Sequence, residues 1–265
     1  MAYAARVLLD SVSEAGIRLT TLEVTFPRFV LAEFNTHRQF SRNSASSRAI
    51  PTSKLIERVE NDAVVPLVWG RNQKGMSASE VLAQEEQAEA QRAWLDARDC
   101  AVEQAQRLHH LEVHKQIVNR ILEPFLWHTV IVTATEWQNF FELRCGSNAQ
   151  PEIREAALRT REAMELSTPS LVRSGQWHTP LIQPDELTLD IETRKRVSVA
   201  RCARVSYLTH EGKREIEKDL ELYERLKRDR HLSPFEHVAT PTVDNSFHAN
   251  FRGWLQMRQE IESAL

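Results

Sequence analysis

The 265-residue sequence predicts an α/β chain of the α+β type, rich in helix and with a small mixed or antiparallel sheet. Residues 17–26 are rich in β-forming side chains and alternate in part between apolar and polar, which predicts a strand. Several longer stretches carry apolar residues at helical spacing, so helices are expected to dominate. Hydrophobic residues make up 42% of the chain and charged residues 27%, which is ordinary for a globular protein.

The segment after the first strand is predicted to be a helix followed by a loop. Pro27 precedes residues in which Phe29, Val30 and Phe34 share one helical face. Residues 39–53 are rich in Ser, Arg and Asn without an apolar period, which predicts a loop.

A long helix is expected after Ser77, which would cap it in a capping box with Glu80. Within this helix Trp94, Ala101 and Leu108 recur every seven residues. That spacing indicates a seam against another helix.

The second half of the chain alternates helical and irregular segments. Residues 116–144 are unusually apolar and predict one or two buried helices, and a proline begins a further helix over 151–165. Residues 166–194 are Pro-rich and predict an irregular connection. Residues 196–207 resemble a strand, and 213–229 predict a charged amphipathic helix.

Composition narrows the class of protein. The net charge of −3 argues against a protein that coats nucleic acid, although it leaves room for a local basic pocket. Cys100, Cys145 and Cys202 show no CxxC spacing, so we expect neither a disulfide framework nor a metal site, and a reducing cytoplasm fits. No signal peptide is recognised, and no run of about 18 apolar residues predicts a membrane span.

Residues 36–48 form a polar segment without any acidic residue. One histidine and three arginines lie there among serines and an asparagine, and such a segment repels itself unless an anion neutralises it. Arg presents a planar fork of donors that matches phosphate oxygens, and Ser side chains with loop amides complete a phosphate nest. A solvated basic loop, a phosphorylation-prone linker and an RNA-binding loop are the alternatives, although no aromatic residues are interleaved for base stacking.

The spacing in this segment resembles the signature RHRxxSxNxxSxR of flavin-dependent thymidylate synthases. Only the first position differs, because Thr36 stands where the signature has Arg. Six matches at fixed spacing are more specific than a short glycine motif. The residues in register are His37, Arg38, Ser41, Asn43, Ser46 and Arg48. The resemblance implies an FAD enzyme that transfers one carbon from methylenetetrahydrofolate to dUMP, with NADPH as reductant.

Residues 119–153 are also similar to this family. Arg120 corresponds to an Arg that touches the pyrimidine, and Arg144 to an Arg at the base that is needed for its activation. Asn139 and Asn148 correspond to flavin-contacting positions, the second of which is usually His. From the residues alone, each arginine is equally an ion-pair partner of a nearby glutamate or part of an exposed helix end.

The third block is SPFEH at 233–237, with CARVSY upstream at 202–207. In the family the corresponding Ser and His contact FAD, which implies the same for Ser206 and His237. Without the resemblance they are a strand serine and a core or helix-terminal histidine. Residues 250–261 faintly echo the helix that follows SPFEH in the family.

The blocks occur in reversed order, because the family has its signature after SPFEH. We therefore expect a circular permutation or a rearranged duplication. The predicted organisation is one thymidylate synthase-like domain over 1–265. It comprises the signature loop and helical core in 1–165, an irregular connection in 166–195 and the permuted segment in 196–265.

Besides Asn148, five positions depart from the family pattern. Thr36 replaces an Arg that the family uses on both flavin and nucleotide. Ser44 replaces a Glu near the substrate, and Glu33 stands where a Gln contacts it. Thr133 and Thr135 occupy positions of a flavin-binding Asn and Arg. The phosphate-binding part of the signature is retained.

The resemblance implies a site that binds and polarises without a protein nucleophile. Arg144 and Arg120 are the expected catalytic residues, stabilising charge on the base carbonyls. The expected substrate-binding residues are Glu33, Thr36, Ser44, Ser46, Ser47, Arg48, Arg120 and Arg144. The expected FAD-binding residues are His37, Arg38, Ser41, Asn43, Asn139, Asn148, Ser206 and His237.

Three alternatives to thymidylate formation remain open from the sequence. They are hydroxymethylation of dUMP, one-carbon transfer to dCMP, and a catalytically inactive nucleotide- or flavin-binding homologue. The resemblance also implies a homotetramer whose sites lie at subunit interfaces, without nucleic-acid or membrane partners.

Overall fold

A computed structural model of the protein describes residues 2–205 and 214–263. The strands are β1 (Ala4–Ser13), β2 (Arg18–Pro27), β3 (Ser41–Ser44), β4 (Trp127–Ala134), β5 (Ser170–Val172), β6 (Ala239–Pro241), β7 (Phe247–His248), β8 (Phe251–Arg252) and β9 (Trp254–Gln256). The α-helices are α1 (Leu31–Asn35), α2 (Thr52–Asp62), α3 (Gln84–His110), α4 (Lys115–Ile121), α5 (Gln138–Arg144), α6 (Pro151–Glu165), α7 (Ile191–Ala203), α8 (Ile216–Arg228) and α9 (Met257–Ser263). Short 3-10 helices lie at Arg28–Val30, Glu123–Phe125, Pro184–Glu186 and Ser233–His237. The predicted helix-rich α+β fold is confirmed.

The main sheet has five strands in the order β3-β4-β2-β1-β5. Neighbouring strands are antiparallel except β5, which pairs with β1 in parallel. The strand predicted over 17–26 is confirmed as β2, which lies between β1 and β4. The register of β2 against β4 places Thr21 opposite Thr133 and Thr25 opposite Thr129.

The prediction of helices over 116–144 is wrong at its centre. Helices α4 and α5 are present, but β4 separates them. Its sequence, WHTVIVTA, is rich in β-branched residues, which lose side-chain freedom in a helix and pack well on a sheet. Most of the strand is buried between β2 and β3, so it reads as a continuous apolar run instead of an alternation.

The segment after Pro27 forms a 3-10 helix and then α1, so the predicted helical face is broken into two short pieces. Val30 and Phe34 nevertheless have no exposed surface, and Phe29 packs against the same core. The loop predicted over 39–53 is wrong in part, because β3 forms there as an edge strand paired with β4. Backbone hydrogen bonds hold this polar strand. Such bonds do not require apolar side chains, so the sequence shows no apolar period there.

Helix α3 begins well after Ser77, so the predicted cap at Ser77 is wrong. The Ser77 hydroxyl instead donates a hydrogen bond to the carbonyl oxygen of Asn148. The seam within the helix is confirmed, because Trp94, Ala101 and Leu108 pack against the buried faces of α2 and α4.

The strand predicted over 196–207 is also wrong, because α7 covers most of it. Asp190 begins this helix, and its Oδ1 accepts a hydrogen bond from the backbone N–H of Thr193 at 3.0 Å. Residues 197–202 are all buried, so no polar face marks the helix. Residues 166–194 are mainly irregular, as predicted, and α8 confirms the amphipathic helix predicted over 213–229.

Residues from both ends of the chain share one hydrophobic cluster. Ile17 and Leu19 pack there with Ala239, Phe251 and Trp254. The indole N–H of Trp254 donates a hydrogen bond to the carbonyl oxygen of Ile17 at 3.1 Å. The C-terminal strands therefore pack on the sheet that carries the signature segment. In the described ranges no helix has the length and apolar character that crossing a membrane demands.

Candidate functional site

Arg144, at the end of α5, is bound to the beginning of the signature segment. Its Nε donates a hydrogen bond to Nε2 of His37 at 2.9 Å. Its Nη2 donates to Oγ1 of Thr36 at 3.0 Å and to the carbonyl oxygen of Glu33 at 3.3 Å. Among the described residues Nη1 has no hydrogen-bond partner, so one edge of the guanidinium is left for a ligand. The structure thus brings together four residues that the sequence predicted for the site.

The imidazole of His37 is neutral in this arrangement. Burial, followed by the charges of Arg144 and Arg42, lowers its pKa to about 4. Because Nε2 accepts the hydrogen bond from Arg144, the ring proton lies on Nδ1. The rings of Phe40 and Phe140 pack against the imidazole at centroid distances of 5.7 and 4.9 Å. Neutral groups therefore hold Arg144, and its positive charge remains available.

Glu33 contributes a buried carboxylate oxygen, Oε2, that has no hydrogen-bond partner. Such an atom costs free energy unless a donor reaches it, because it has lost its hydration without gaining a replacement. The carbonyl oxygen of the same residue binds Arg144. The unpaired carboxylate oxygen therefore points to a ligand with a hydrogen-bond donor near the Arg144 cluster.

Arg38 and Arg42 place two positive charges next to each other on the signature segment. Nη1 of Arg42 donates to the carbonyl oxygens of Asn35 and His37 at 3.0 and 3.5 Å. Burial, followed by repulsion from Arg38, lowers the pKa of Arg42, while Glu236 acts in the opposite direction. Two neighbouring guanidinium groups suit a ligand with a diphosphate.

Asn43 and His237 meet although 194 residues separate them. The Asn43 amide lies 3.1 Å from Nε2 of His237, and its nitrogen faces the ring because the same atom lies 3.0 Å from the carbonyl oxygen of Arg42 and 3.2 Å from that of Ser233. The other ring nitrogen of His237 lies 2.7 Å from Oγ1 of Thr133. His237 has no exposed surface, as expected of a core histidine, so its direct contact with FAD stays a prediction.

Ser41 is also buried beneath the C-terminal segment. Its hydroxyl accepts hydrogen bonds from Nδ2 of Asn250 at 3.0 Å and from Nε2 of Gln256 at 3.2 Å. Asn250 donates in addition to the carbonyl oxygen of Gln39 at 3.0 Å. The segment that faintly echoes the family therefore anchors β3, and the FAD contact of Ser41 stays a prediction.

Ser46, Ser47 and Arg48 lie in the loop that approaches α4. The Ser47 hydroxyl is buried and donates to Oε1 of Glu123 at 2.7 Å. The backbone N–H of Arg48 donates to the hydroxyl of Ser46 at 3.3 Å, and the Arg48 side chain is exposed. The loop thus offers the Arg48 cation and the Ser46 hydroxyl to solvent beside a carboxylate.

That carboxylate, Glu123, also binds two arginines. Its Oε1 lies 2.7 Å from Nη1 of Arg120 and 3.0 Å from Nη2 of Arg28. Burial raises the pKa of Glu123, but the Ser47 hydrogen bond and the charge of Arg28 outweigh burial and leave it below its usual value. The alternative interpretation of Arg120 as an ion-pair partner therefore holds. Two guanidinium groups against one carboxylate still leave a net positive charge beside the loop.

Asn119 ties this loop to α4 and was not predicted from the sequence. It has no exposed surface, and its Nδ2 donates to the carbonyl oxygens of Ser47 and Ile50 at 2.7 and 3.0 Å. No motif marks this residue. The only available signal is an amide side chain in the apolar stretch around Val118 and Ile121.

The remaining predicted residues do not join these clusters. Asn139 and Asn148 are exposed, and Ser44 is exposed at the end of β3. The hydroxyl of Thr135 accepts a hydrogen bond from the backbone N–H of Arg252 at 3.0 Å. Ser206 lies outside the residues that the structure describes.

Two surface clefts lie away from the predicted residues. One, of about 470 Å3, is lined by Arg6, Arg201 and Arg214 among others. The other, of about 350 Å3, is lined by residues of α5 and α6 that include Gln138 and Glu142. Neither cleft contains a predicted site residue.

Comparison with known proteins agrees with this fold. The sequence profile of the family described as thymidylate synthase complementing protein matches residues 17–170. No curated protein matches the sequence. Solved structures of PolB, a UMP/dUMP methylase from Streptomyces cacaoi, are similar. With 5-Br UMP bound, the TM-score is 0.50 at 16% identity, covering 62% of this chain and 88% of PolB. With 5-Br dUMP bound, the TM-score is 0.51 at 17% identity, covering 62% and 90%.

The matched range contains the whole signature segment together with Arg120 and Arg144. The chain belongs to the thymidylate synthase complementing protein family, the flavin-dependent thymidylate synthases. It is accordingly an enzyme of the flavin-dependent thymidylate synthase type, a methyltransferase. The likeness to PolB confirms the fold, and the third block at 233–237 lies outside the range that the profile matches.

Proposed function

We propose that the chain catalyses FAD-dependent transfer of a one-carbon unit from methylenetetrahydrofolate to C5 of dUMP, giving dTMP, with NADPH as reductant. One observation carries the proposal: within a member of this family, Arg144 is bound to His37 and Thr36 with one edge of its guanidinium free. The similar structures of PolB hold uracil nucleotides, which supports a substrate of this class.

The nucleotide phosphate binds to the loop at Ser46–Arg48. The exposed guanidinium of Arg48 and the amides of Ser46 and Ser47 supply charge-assisted hydrogen bonds. The net positive charge left by Arg28 and Arg120 around Glu123 attracts the same anion.

Arg144 stabilises the charge that develops on the base. Negative charge builds on the ring oxygens as C5 becomes nucleophilic, before it bonds to the one-carbon unit, and a cation already held in place lowers the barrier. The neutral side chains of His37 and Thr36 hold the guanidinium without neutralising it. The unpaired carboxylate oxygen of Glu33 accepts a hydrogen bond from the nucleotide.

The residues of the signature segment fit FAD, which supplies reducing electrons when bound. Arg38 and Arg42 carry the two adjacent positive charges that a diphosphate neutralises. Asn43 is half-buried and presents an amide at the edge of the same segment. The proposed set of FAD residues is completed by His37, Asn139, Asn148, Ser41, Ser206 and His237. Of these, His237 and Ser41 act from beneath the surface.

The reversed order of motifs is compatible with this site, because His237 and Asn250 pack against β3 although they follow it in the sequence.

We also propose that the site is completed by other subunits of a homotetramer. The apolar seam of α3 at Trp94 already packs against α2 and α4 of the same chain, so it does not support association between subunits. The exposed Leu143 beside Arg144 does support it, because 56% of its surface is exposed. Light scattering that shows an active monomer would contradict the tetramer.

A second candidate substrate is dCMP, and Glu33 is the observation that favours it. The family has Gln at this position, which both donates and accepts hydrogen bonds. An ionised carboxylate only accepts, and the exocyclic amine of cytosine donates. Product analysis with both nucleotides separates the two substrates. It also separates methylation from hydroxymethylation of dUMP.

The test is incubation of the protein with FAD, NADPH, methylenetetrahydrofolate and either dUMP or dCMP, followed by mass spectrometry of the nucleotide. We expect dTMP from dUMP, and FAD in the supernatant of heat-denatured protein. Arg144→Ala serves as the inactive control. A protein that binds no FAD when FAD is supplied in excess, and that alters neither nucleotide, would contradict the proposal. An inactive homologue would then be the remaining interpretation.

A further inference from the structure

A chain of hydrogen bonds crosses the main sheet beneath Asn43. Beyond His237, the hydroxyl of Thr133 lies 2.7 Å from that of Thr21. Thr21 in turn lies 2.8 Å from Nε2 of His178, whose Nδ1 lies 2.7 Å from the Ser11 hydroxyl. We call this the His–Thr chain, and its members are Ser11, His178, Thr21, Thr133 and His237. Each is at most 1% exposed.

The orientation of Asn43 is coupled to the direction of every hydrogen bond in the His–Thr chain. Because the amide nitrogen donates to Nε2 of His237, the proton of that ring lies on Nδ1 and points to Thr133. The hydroxyl of Thr133 then donates to Thr21, and that of Thr21 donates to Nε2 of His178. The reverse orientation of Asn43 would reverse all of these bonds. It would also direct the amide oxygen at two carbonyl oxygens.

The His–Thr chain orients groups and does not conduct protons. Burial lowers the pKa of both His178 and His237 to about 3, so both rings stay neutral near neutral pH. A path for protons needs an end that meets solvent, whereas Ser11 at the far end is 1% exposed.

We propose that His178, Thr21 and Thr133 are positioning residues, which fix the tautomer of His237 and thereby the amide of Asn43 that contacts FAD. The proposal rests on the proposed function only for the identity of the ligand. With its nitrogen directed into the protein, Asn43 offers its amide oxygen as an acceptor for an N–H or O–H group of the cofactor. His237 then acts through Asn43 and needs no contact with FAD of its own.

The sheet supplies a matched control for this proposal. Thr25 and Thr129 form a second cross-strand pair on β2 and β4, with hydroxyl oxygens 2.9 Å apart. No histidine belongs to that pair. Thr21→Val and Thr25→Val therefore remove the same hydroxyl from the same strand, but only Thr21→Val interrupts the His–Thr chain. Thr21→Ser keeps the hydroxyl and tests rescue.

Two measurements on the full-length apo-protein test the proposal. The FAD dissociation constant is measured by flavin fluorescence, and the His237 tautomer by 15N NMR without ligand. For Thr21→Val we expect FAD binding weaker by about ten-fold or more, which one lost hydrogen bond to a positioned group accounts for. We also expect His237 to lose its preference for the proton on Nδ1. Thr25→Val and Thr21→Ser should keep the wild-type tautomer and the wild-type FAD affinity.

The outcomes separate this inference from the proposed function. Equal FAD affinity in Thr21→Val and wild type, or an equal loss in Thr25→Val, overturns the positioning role and leaves the proposed function intact. Wild-type protein that binds no FAD overturns the proposed function and the identity of the ligand. If Thr21→Val does not fold, Ser11→Ala replaces it, because it removes the last acceptor of the His–Thr chain. We then expect weaker FAD binding by about three-fold, and an unchanged affinity overturns the inference.

Discussion

Nε of Arg144 donates a hydrogen bond to Nε2 of His37 across 2.9 Å, which joins α5 to the signature segment. An arginine beside a histidine would repel it if the ring were charged, so the contact requires a neutral imidazole. The low pKa of His37, about 4, meets that requirement. The pair therefore fixes a cation without a carboxylate partner, which is the arrangement that stabilises developing negative charge.

Replacement of Arg144 tests this role. We expect Arg144→Ala to lower kcat by about 100- to 1000-fold with a smaller change in KM, because the lost charge acts mainly in the transition state. Arg144→Lys should recover only part of the rate, because an ammonium lacks the fork that reaches His37 and a ligand together. Single-turnover rates and melting temperatures of the same preparations measure the effect.

The Arg144→Ala variant has a second readout in His37. Removal of the neighbouring charge should raise the pKa of His37 from about 4 toward its ordinary value, although burial, the larger cause, still holds it down. NMR titration of the imidazole measures this. Arg159→Ala, which removes an exposed arginine of α6, is the control and should change neither quantity. A folded, FAD-loaded Arg144→Ala enzyme with normal turnover would rule out the catalytic role.

Replacement of Arg48 tests nucleotide binding. We expect Arg48→Ala to weaken nucleotide affinity by more than about ten-fold and to leave FAD affinity unchanged, because a charge-assisted hydrogen bond contributes roughly 1.5–3 kcal/mol. Lys54→Ala removes another exposed cation nearby on α2 and serves as the control. Calorimetry decides the matter, since an unchanged nucleotide affinity in Arg48→Ala excludes a phosphate contact.

Local signals explain which elements the sequence could predict. The sequence of β2 alternates in part between apolar and polar residues, α6 begins with a proline and α8 has a polar face, so each is marked within its own residues. β4 and α7 are buried on nearly every side, and burial on both faces removes the periodicity that distinguishes strand from helix. Their type depends on neighbours that are distant in the chain.

The same distinction applies to the site. Residues of the signature could be predicted because their spacing is local, and the structure brings His37, Thr36 and Glu33 to Arg144. His178 lies in an irregular segment. It gains its role only by contacting Thr21, from which 157 residues separate it in the sequence. No local pattern records such a contact. Tertiary packing alone therefore reveals the His–Thr chain.

Asn119 provides a test of how the phosphate loop is held. We expect Asn119→Ala to weaken nucleotide binding several-fold and to lower the free energy of unfolding by about 1–3 kcal/mol, because one buried and one partly buried carbonyl oxygen lose their donor. FAD affinity should not change. Asn61→Ala, at an exposed position of α2, is the control. Lower stability with wild-type nucleotide affinity would show that Asn119 supports the fold without shaping the loop.

The buried histidines predict how stability depends on pH. Burial lowers the pKa of His128, His178 and His237 to about 3, well below the ordinary value of 6.5. The unfolded chain therefore binds more protons than the folded protein between about pH 6.5 and pH 3. Stability is fully present above about pH 6.5 and is lost as the pH falls from there, by up to about 1.4 kcal/mol per pH unit for each histidine.

His128→Gln separates one of these histidines from the proposed FAD site. The His128 ring is buried and its Nδ1 lies 3.0 Å from Nη1 of Arg28, so glutamine keeps a polar partner there but does not titrate. Urea unfolding between pH 7.5 and 5.5 should therefore show a shallower loss of stability in His128→Gln than in wild type, whatever its stability at pH 7.5. His109→Gln, at an exposed position near the end of α3, should keep the wild-type slope. Equal slopes in His128→Gln and wild type would mean that His128 binds its proton equally well in the folded and the unfolded protein, and that Arg28 and burial do not keep it neutral.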